Sequence, residues 1–428
     1  MKSLKSRAFN LLRSSEHIFK LDLVYLAKGS LWTTLSFAVG TIASIVTMIA
    51  YGNLLSRESY GTYIYLMSLG TSLSFLTLSG TGTGVLRAVA RGRENIIPEA
   101  LQLQLKYNLI AIATVLSAAT YYWYKGNSLF AGSLTLLAIA YPLAEAFHIY
   151  VQIFMGRKRF DILTKLASIT TLIGTISIVI TLLFTDKIII LITVYTVISI
   201  LPNIIIYLYA TKNIDKTVPS QKEIGELRRT AFHITGAGLI GTAAQYIDKI
   251  IIFQVAGPST LALYGFAIAG PERLKSLLKN WMGIALPRLA ETSLQQIRAV
   301  IYKRIFLSLL LGLVLCLSYI TISPILFKMF LPKYLDAITY TQTLSLGLIV
   351  APAFIYIGGI FSSQNMLRGT YMLSVGTQII RITLFIILGW LWQIWGLIFA
   401  YLISILFNAI YSIVIWEMET RRLLRVIK

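Results

Sequence analysis

The sequence predicts an all-α polytopic membrane protein with twelve transmembrane helices in two pseudo-symmetric six-helix lobes. Three observations lead there. Of its 428 residues, 57% are hydrophobic and only 13% are charged, about half the charged fraction of a soluble domain. The apolar residues fall in runs of roughly twenty, enough for a helix to cross a bilayer and about twice a barrel strand. The basic residues collect between these runs, mostly on one side.

Taken in order, residues 1–28 are basic with periodic Leu and Phe, which predicts an amphipathic N-terminal helix on the cytoplasmic face. A cleaved signal is not expected, because the apolar run that follows is long and lacks a clear small-residue cleavage site. An N-terminal lobe over 29–210 holds spans at 29–51, 60–86, 107–124, 129–154, 163–184 and 188–210. A basic polar segment, 211–229, reads as a cytoplasmic linker. The C-terminal lobe, 230–416, holds spans at 230–255, 259–286, 305–330, 337–364, 371–389 and 394–416, and a basic cytoplasmic tail covers 417–428. With the N-terminus inside, 28 of the 38 Lys and Arg residues lie on the inner side, five on the outer side and five within spans. This bias places both termini in the cytoplasm of a multi-pass cell-membrane protein. It also ascribes the net charge of +21 to topology and anionic lipid rather than to nucleic acid. Cys316 is the sole cysteine, so no intrachain disulfide can form.

The two lobes carry matching signals. Ser56-x-x-x-Tyr60-Gly61 precedes span two, and Ser259-x-x-x-x-Tyr264-Gly265 opens span eight. Leu86-Arg87 and Pro287-Arg288 close those spans, and Gln152 and Gln364 close spans four and ten. The common order and near-constant offset predict two six-helix repeats in the same orientation, with a substrate path between them.

Ionisable residues inside spans are costly and mark pathways or internal pairs. Residues 245–280 hold most of them: Asp248 and Lys249 in span seven, and Glu272, Arg273, Lys275 and Lys279 in span eight. Glu272, Lys275 and Lys279 share one helical face. They read either as a cationic wall for an anionic substrate or as a Glu272–Lys275 pair with Lys279 reaching the inner surface. Asp248 is expected either to pair with a basic residue of span eight or to bind a coupling ion. Arg381, alone in the middle of span eleven, requires a carboxylate, water or phosphate and is the leading candidate for a substrate contact. In span four, Tyr141, Glu145, His148 and Gln152 form one polar stripe, suited to a coupling proton or to packing. No metal-ligand spacing and no phosphate-binding glycine loop followed by Lys-Ser/Thr is found. The outer loops are too short to house a glycosyltransferase or polymerase site.

The run LLSRESYGTYIYLMSL after span one resembles polysaccharide-biosynthesis flippases of the Wzx type, in the multidrug/oligosaccharidyl-lipid/polysaccharide exporter superfamily. Asp248, Gly257, Tyr264, Glu272-Arg273 and Pro287-Arg288 agree with that resemblance in the second half. It implies a V-shaped, exporter-like pair of lobes and no enzymatic activity. It implies transfer of a polyprenyl-(di)phosphate-linked oligosaccharide from the inner to the outer leaflet by alternating access, for surface polysaccharide assembly. It also implies H+ or Na+ as coupling ion, no cofactor, a single chain as the transport unit, and glycan polymerases or glycosyltransferases as partners. Arg381, Lys279, Lys275, Arg273 and Lys249 are the expected contacts to the anionic headgroup. Asp248, Glu272, Glu145 and His148 are expected to couple ions or to pair. A cation-coupled drug or small-solute antiporter of the same fold is the rival reading, and a membrane glycosyltransferase or polymerase is the second.

Overall fold

The computed structural model describes residues 23–214, 217–364 and 366–427. The N-terminal amphipathic stretch expected over 1–28 therefore lies outside the described residues up to position 22. The described chain holds helices α1 (Leu23–Leu54), α2 (Arg57–Leu73), α3 (Thr81–Ala90), α4 (Ile97–Tyr124), α5 (Ser128–Phe147), α6 (Tyr150–Gly156) and α7 (Phe160–Phe184). These are followed by α8 (Ile188–Thr211), α9 (Gln221–Ala244), α10 (Ile247–Glu291), α11 (Leu294–Phe330), α12 (Ala337–Ser345), α13 (Gly347–Ser363) and α14 (Leu367–Ile427). No strand occurs among the described residues.

Each of the twelve apolar runs is helical over most of its length, but the helices do not divide one per run. Spans two, four and ten are broken, into α2/α3, α5/α6 and α12/α13. Span seven is broken between Ala244 and Ile247, so its second piece starts α10. Two helix pairs, within α10 and within α14, are joined instead by one or two residues of non-helical backbone that reverse the chain. α10 turns at Gly257, whose φ of 82° suits a residue without a Cβ, and α14 turns at Trp392–Gln393. Eight stretches are apolar and long enough to cross a membrane by themselves, and two of them contain these reversals. The linker is shorter than expected: α9 begins at Gln221, capped by Ser220, whose hydroxyl accepts from the Glu223 amide. In return the Ser220 amide and hydroxyl donate to the Glu223 carboxylate and hold it below its usual range. The tail is helical too, because α14 continues to Ile427.

In the N-terminal half, α1 packs on α7, α4 on α5, and α5 on α8. In the C-terminal half, α10 packs on α12, α13 and α14, and α11 on α13. The halves meet through α2 against α10 and α3 against α9. One apolar cluster crosses between them at the end holding the α1–α2 turn: Tyr51, Leu55 and Tyr65 on one side, and Phe266, Leu331 and Tyr334 on the other. At the opposite end lie two further clusters: one around Tyr150 and Tyr207, which takes in Leu227 of α9, and one around Ile301 and Trp416 in the second half.

The shared end is tied in detail. The Tyr60 ring stacks on Phe266 at 4.5 Å, and Phe266 packs on Tyr334 at 4.3 Å. Tyr65 stacks on Phe253 at 3.9 Å and accepts a hydrogen bond from Gln254 Nε2 at 2.8 Å. Asn53 Nδ2 donates to the Phe330 carbonyl at 2.8 Å, and Arg57 pairs with Asp336 at 3.0 Å. The repeated Tyr-Gly pairs explain the close approach. A methyl group at Gly61 would overlap the Pro258 carbonyl, and one at Gly265 would collide with Ile64. Gly61→Val is therefore expected to part the halves at this end. In Cys316→Ala protein carrying Arg57→Cys and Asp336→Cys, the yield of cross-linking by a short bis-methanethiosulfonate should fall sharply when Gly61→Val is added. An unchanged yield would contradict the role given to Gly61.

Candidate functional site

The two hairpins build the charged centre of the C-terminal half. The reversal at Gly257 lays the start of α10 beside its second arm, so the Tyr264 hydroxyl donates to Asp248 Oδ2 at 2.9 Å. Asp248 is 2% exposed and sits in the first turn of α10, where the positive end of the helix dipole favours a carboxylate. Its Oδ1 has no partner. The basic partner from span eight expected for Asp248 is thus replaced by a tyrosine hydroxyl. The reversal at Trp392–Gln393 likewise brings Tyr401 into the same interior as Arg381. Among the glycines that let its arms cross, Gly396 faces the Leu388 carbonyl with no room for a Cβ.

Glu272 and Lys275 form an internal pair at 2.6 Å, and Tyr401 donates to Glu272 Oε1 at 3.0 Å. The Lys275 ammonium lies over the Tyr401 ring, 4.9 Å from its centre. Lys275 is therefore turned into its own lobe, and of the two readings of span eight the internal pair describes these two residues. Arg381 is differently placed. Its guanidinium lies over Phe385 at 5.2 Å, and its buried Nε has no hydrogen-bond partner. Among the described residues no carboxylate reaches salt-bridge distance of it. Its charge is nevertheless felt at Tyr264, Glu272, Lys275 and Tyr401, so it belongs to the same cluster. Gln378, one helical turn before Arg381, has a buried and unpartnered Oε1.

The other basic candidates disperse. Arg273 lines a crevice of about 1250 Å³ between α1, α10 and α11, beside Glu272 and Ser276. The walls are otherwise mainly apolar, with Ile45, Met48, Leu277 and Leu315 among them. Lys279, further along α10, is exposed. Lys249 lies over the Tyr246 ring at 5.1 Å. In the first half, the stripe expected along span four is split by the break: Tyr141 and Glu145 lie on α5, His148 at its C-cap and Gln152 on α6. The Tyr141 hydroxyl donates to the Met67 carbonyl at 3.1 Å, and Gln152 packs beneath Gly82. Between them Glu145 and His148 are exposed. No hydrogen bond or ion pair among the described residues joins these two to the cluster of the second half.

Tyr401 and Gln378 escaped the reading of the sequence as site residues. Gln378 had a usable signal, since it lies three residues before Arg381 on the same helical face. Tyr401 had none, as one tyrosine of 24 in an apolar run.

Two helical halves joined along α2–α10 and α3–α9, around charges held at membrane depth, form the site of a multi-pass membrane protein. Solved structures agree on the fold. An inward-facing multidrug resistance transporter of the MATE family, in the MOP superfamily, matches with a TM-score of 0.63 at 13% identity, covering 90% of this chain and 96% of that one. An outward-facing MATE transporter matches at 0.60 and 15% identity, covering 94% and 96%. A MOP-superfamily transporter from Pyrococcus furiosus, described by the reversed polarity of its binding pocket, matches at 0.59 and 13% identity over 94% and 96%. No curated protein matches in sequence. Residues 26–272 match the profile of the polysaccharide biosynthesis protein family, which is more than half of the chain. The chain belongs to that family.

The Asp248–Tyr264 bond makes a direct prediction. Tyr264→Phe leaves a buried carboxylate without its donor, and a hydrogen bond to a charged group is worth ~1.5–3 kcal/mol. The melting temperature in detergent should drop, and adding Asp248→Asn should recover part of the loss. An unchanged melting temperature in Tyr264→Phe would show that Asp248 is satisfied in another way.

Proposed function

We propose that this protein flips a polyprenyl-(di)phosphate-linked oligosaccharide from the inner to the outer leaflet by alternating access. One observation carries the reading: the carboxylates of the charged centre have partners, whereas Arg381, and with it Arg273 and Lys279, have no carboxylate partner among the described residues. A site with satisfied anions and spare cations at membrane depth calls for an anionic ligand. Arginine suits a diphosphate because its planar fork can contact two oxygens at once. The apolar crevice beside Arg273 suits a polyprenyl chain between α1 and α11, and in this reading the headgroup sits at Arg273 on α10 and at Arg381 on α14.

The positive-inside bias supports a cytoplasmic position for both termini and for the end opposite the shared aromatic cluster. The shared aromatic cluster is then the outer gate. A coupling ion, H+ or Na+, would act at the unpartnered oxygen of Asp248 or at the exposed Glu145–His148 pair. Glycan polymerases or glycosyltransferases are the expected partners downstream. The drug-antiporter reading keeps support from the MATE fold. A cationic drug would need an unpaired carboxylate in the path; Glu272 already holds Lys275, and Asp248, which pairs with no cation, is 2% exposed and bonded to Tyr264.

Reconstitution tests this reading. In proteoliposomes with a fluorescent polyprenyl-diphosphate oligosaccharide, Arg381→Ala should slow flipping by about two orders of magnitude, as expected for ~2–3 kcal/mol lost with a buried charged contact. Lys279→Ala, on an exposed position, should cost less than tenfold, since exposed charges contribute about 1 kcal/mol or less. Normal flipping by Arg381→Ala would remove Arg381 from the path. Efflux of a cationic dye by the intact protein, without flipping, would favour the antiporter.

A further inference from the structure

A second cavity lies apart from the charged centre. It has a volume of about 410 Å³ and lies where α6, α7 and α8 end, in the first half. Arg157, Arg159, Lys212, Asn213 and Glu94 supply its polar atoms, and Phe154, Ile162, Tyr209 and Ala210 its apolar wall. The substrate path described above does not use it.

The roles of its charges differ. Arg157 is structural: its Nε and Nη2 donate to both oxygens of Glu94 at 2.7 and 2.5 Å, and its Nη1 donates to the Ala210 carbonyl at 2.8 Å. That clamp cancels Glu94, the carboxylate lining the cavity, and fixes the end of α8 against the turn before α4. Arg159 is exposed and pairs only with the exposed Asp161, at 3.1 and 3.2 Å. Surface pairs of this kind contribute little, so the guanidinium can turn to a better anion. Lys212 and Asn213, both exposed, complete the rim. The cavity therefore offers two cations and an amide over an apolar floor, with its own carboxylate neutralised.

Its surroundings identify the kind of anion. Leu201, Ile205 and Tyr209 follow at intervals of four along α8 and are 53%, 64% and 58% exposed, with Leu208 beside them at 60%. This is an apolar track on the outside of the bundle that ends in the basic cavity. A free phosphate would use the cations and ignore the track. A glycerophospholipid uses both, with its phosphate at the rim and its acyl chains along α8. Basic pockets between transmembrane helices at the membrane surface hold lipid headgroups in this manner. We propose that the cavity formed by Arg159, Lys212, Asn213 and Tyr209 is a binding site for one anionic phospholipid.

Native mass spectrometry and thermal melting of the full chain, purified in detergent, test this with three probes: phosphatidylglycerol, phosphatidylcholine and inorganic phosphate. Phosphatidylglycerol should be retained as a one-to-one adduct and raise the melting temperature. Arg159→Gln and Lys212→Gln should each weaken it about fivefold, the equivalent of ~1 kcal/mol per basic residue at a membrane surface. Both variants should melt like the parent without added lipid. The Arg228→Gln/Arg229→Gln protein, altered at exposed basic positions on α9, should bind like the parent. Equal retention of phosphatidylcholine, or undiminished binding by the Arg159→Gln/Lys212→Gln protein, would overturn the proposal. Equal stabilisation by inorganic phosphate would overturn it in favour of a soluble-anion site.

Discussion

The architecture depends on how charge is carried inside a lipid-embedded bundle. An uncompensated ion at the bilayer centre costs from ~2.5 to more than 10 kcal/mol. Here the cost is met residue by residue, and unevenly. Glu272, Lys275 and Tyr401 satisfy one another, and Asp248 has the Tyr264 hydroxyl and a helix N-terminus. Arg381 has the face of Phe385 and no anion. That imbalance would be a defect in a purely structural helix bundle. In the proposed function it is the place of a negative group.

The two hairpins make that arrangement possible. Gly257 and Gln393 adopt positive φ, and each folds a long apolar helix back on itself. The four resulting arms bring residues far apart in sequence into one polar interior. On the other side of the molecule the tyrosine-rich seam closes the halves with rings and glycines rather than with ion pairs alone. Separating stacked rings exposes apolar area without stranding a buried charge.

Much of this was legible in the sequence. The apolar runs and the flanking basic residues gave twelve spans, and the Tyr-Gly repeat pointed to two six-helix halves in one orientation. The charged residues of spans seven, eight and eleven were visible because ions are rare in such runs. What sequence spacing could not give was direction. Glu272, Lys275 and Lys279 share a helical face, yet Lys275 turns inward to Tyr401 while Lys279 remains exposed. Nor did spacing reveal Tyr264 as the partner of Asp248, since that contact exists only because Gly257 reverses the chain. The breaks within spans two, four, seven and ten were also hidden, because hydropathy averages over a turn that leaves the apolar run intact.

The central claim is that the unpartnered Arg381 makes the path selective for a phosphorylated polyprenyl headgroup. Its most direct test is equilibrium binding to the purified protein of a short-chain polyprenyl diphosphate and of the polyprenol of the same length. The account expects the diphosphate to bind at least a hundredfold more tightly and this preference to collapse in Arg381→Ala. Equal binding of the two lipids, or a preference that survives the substitution, would contradict it.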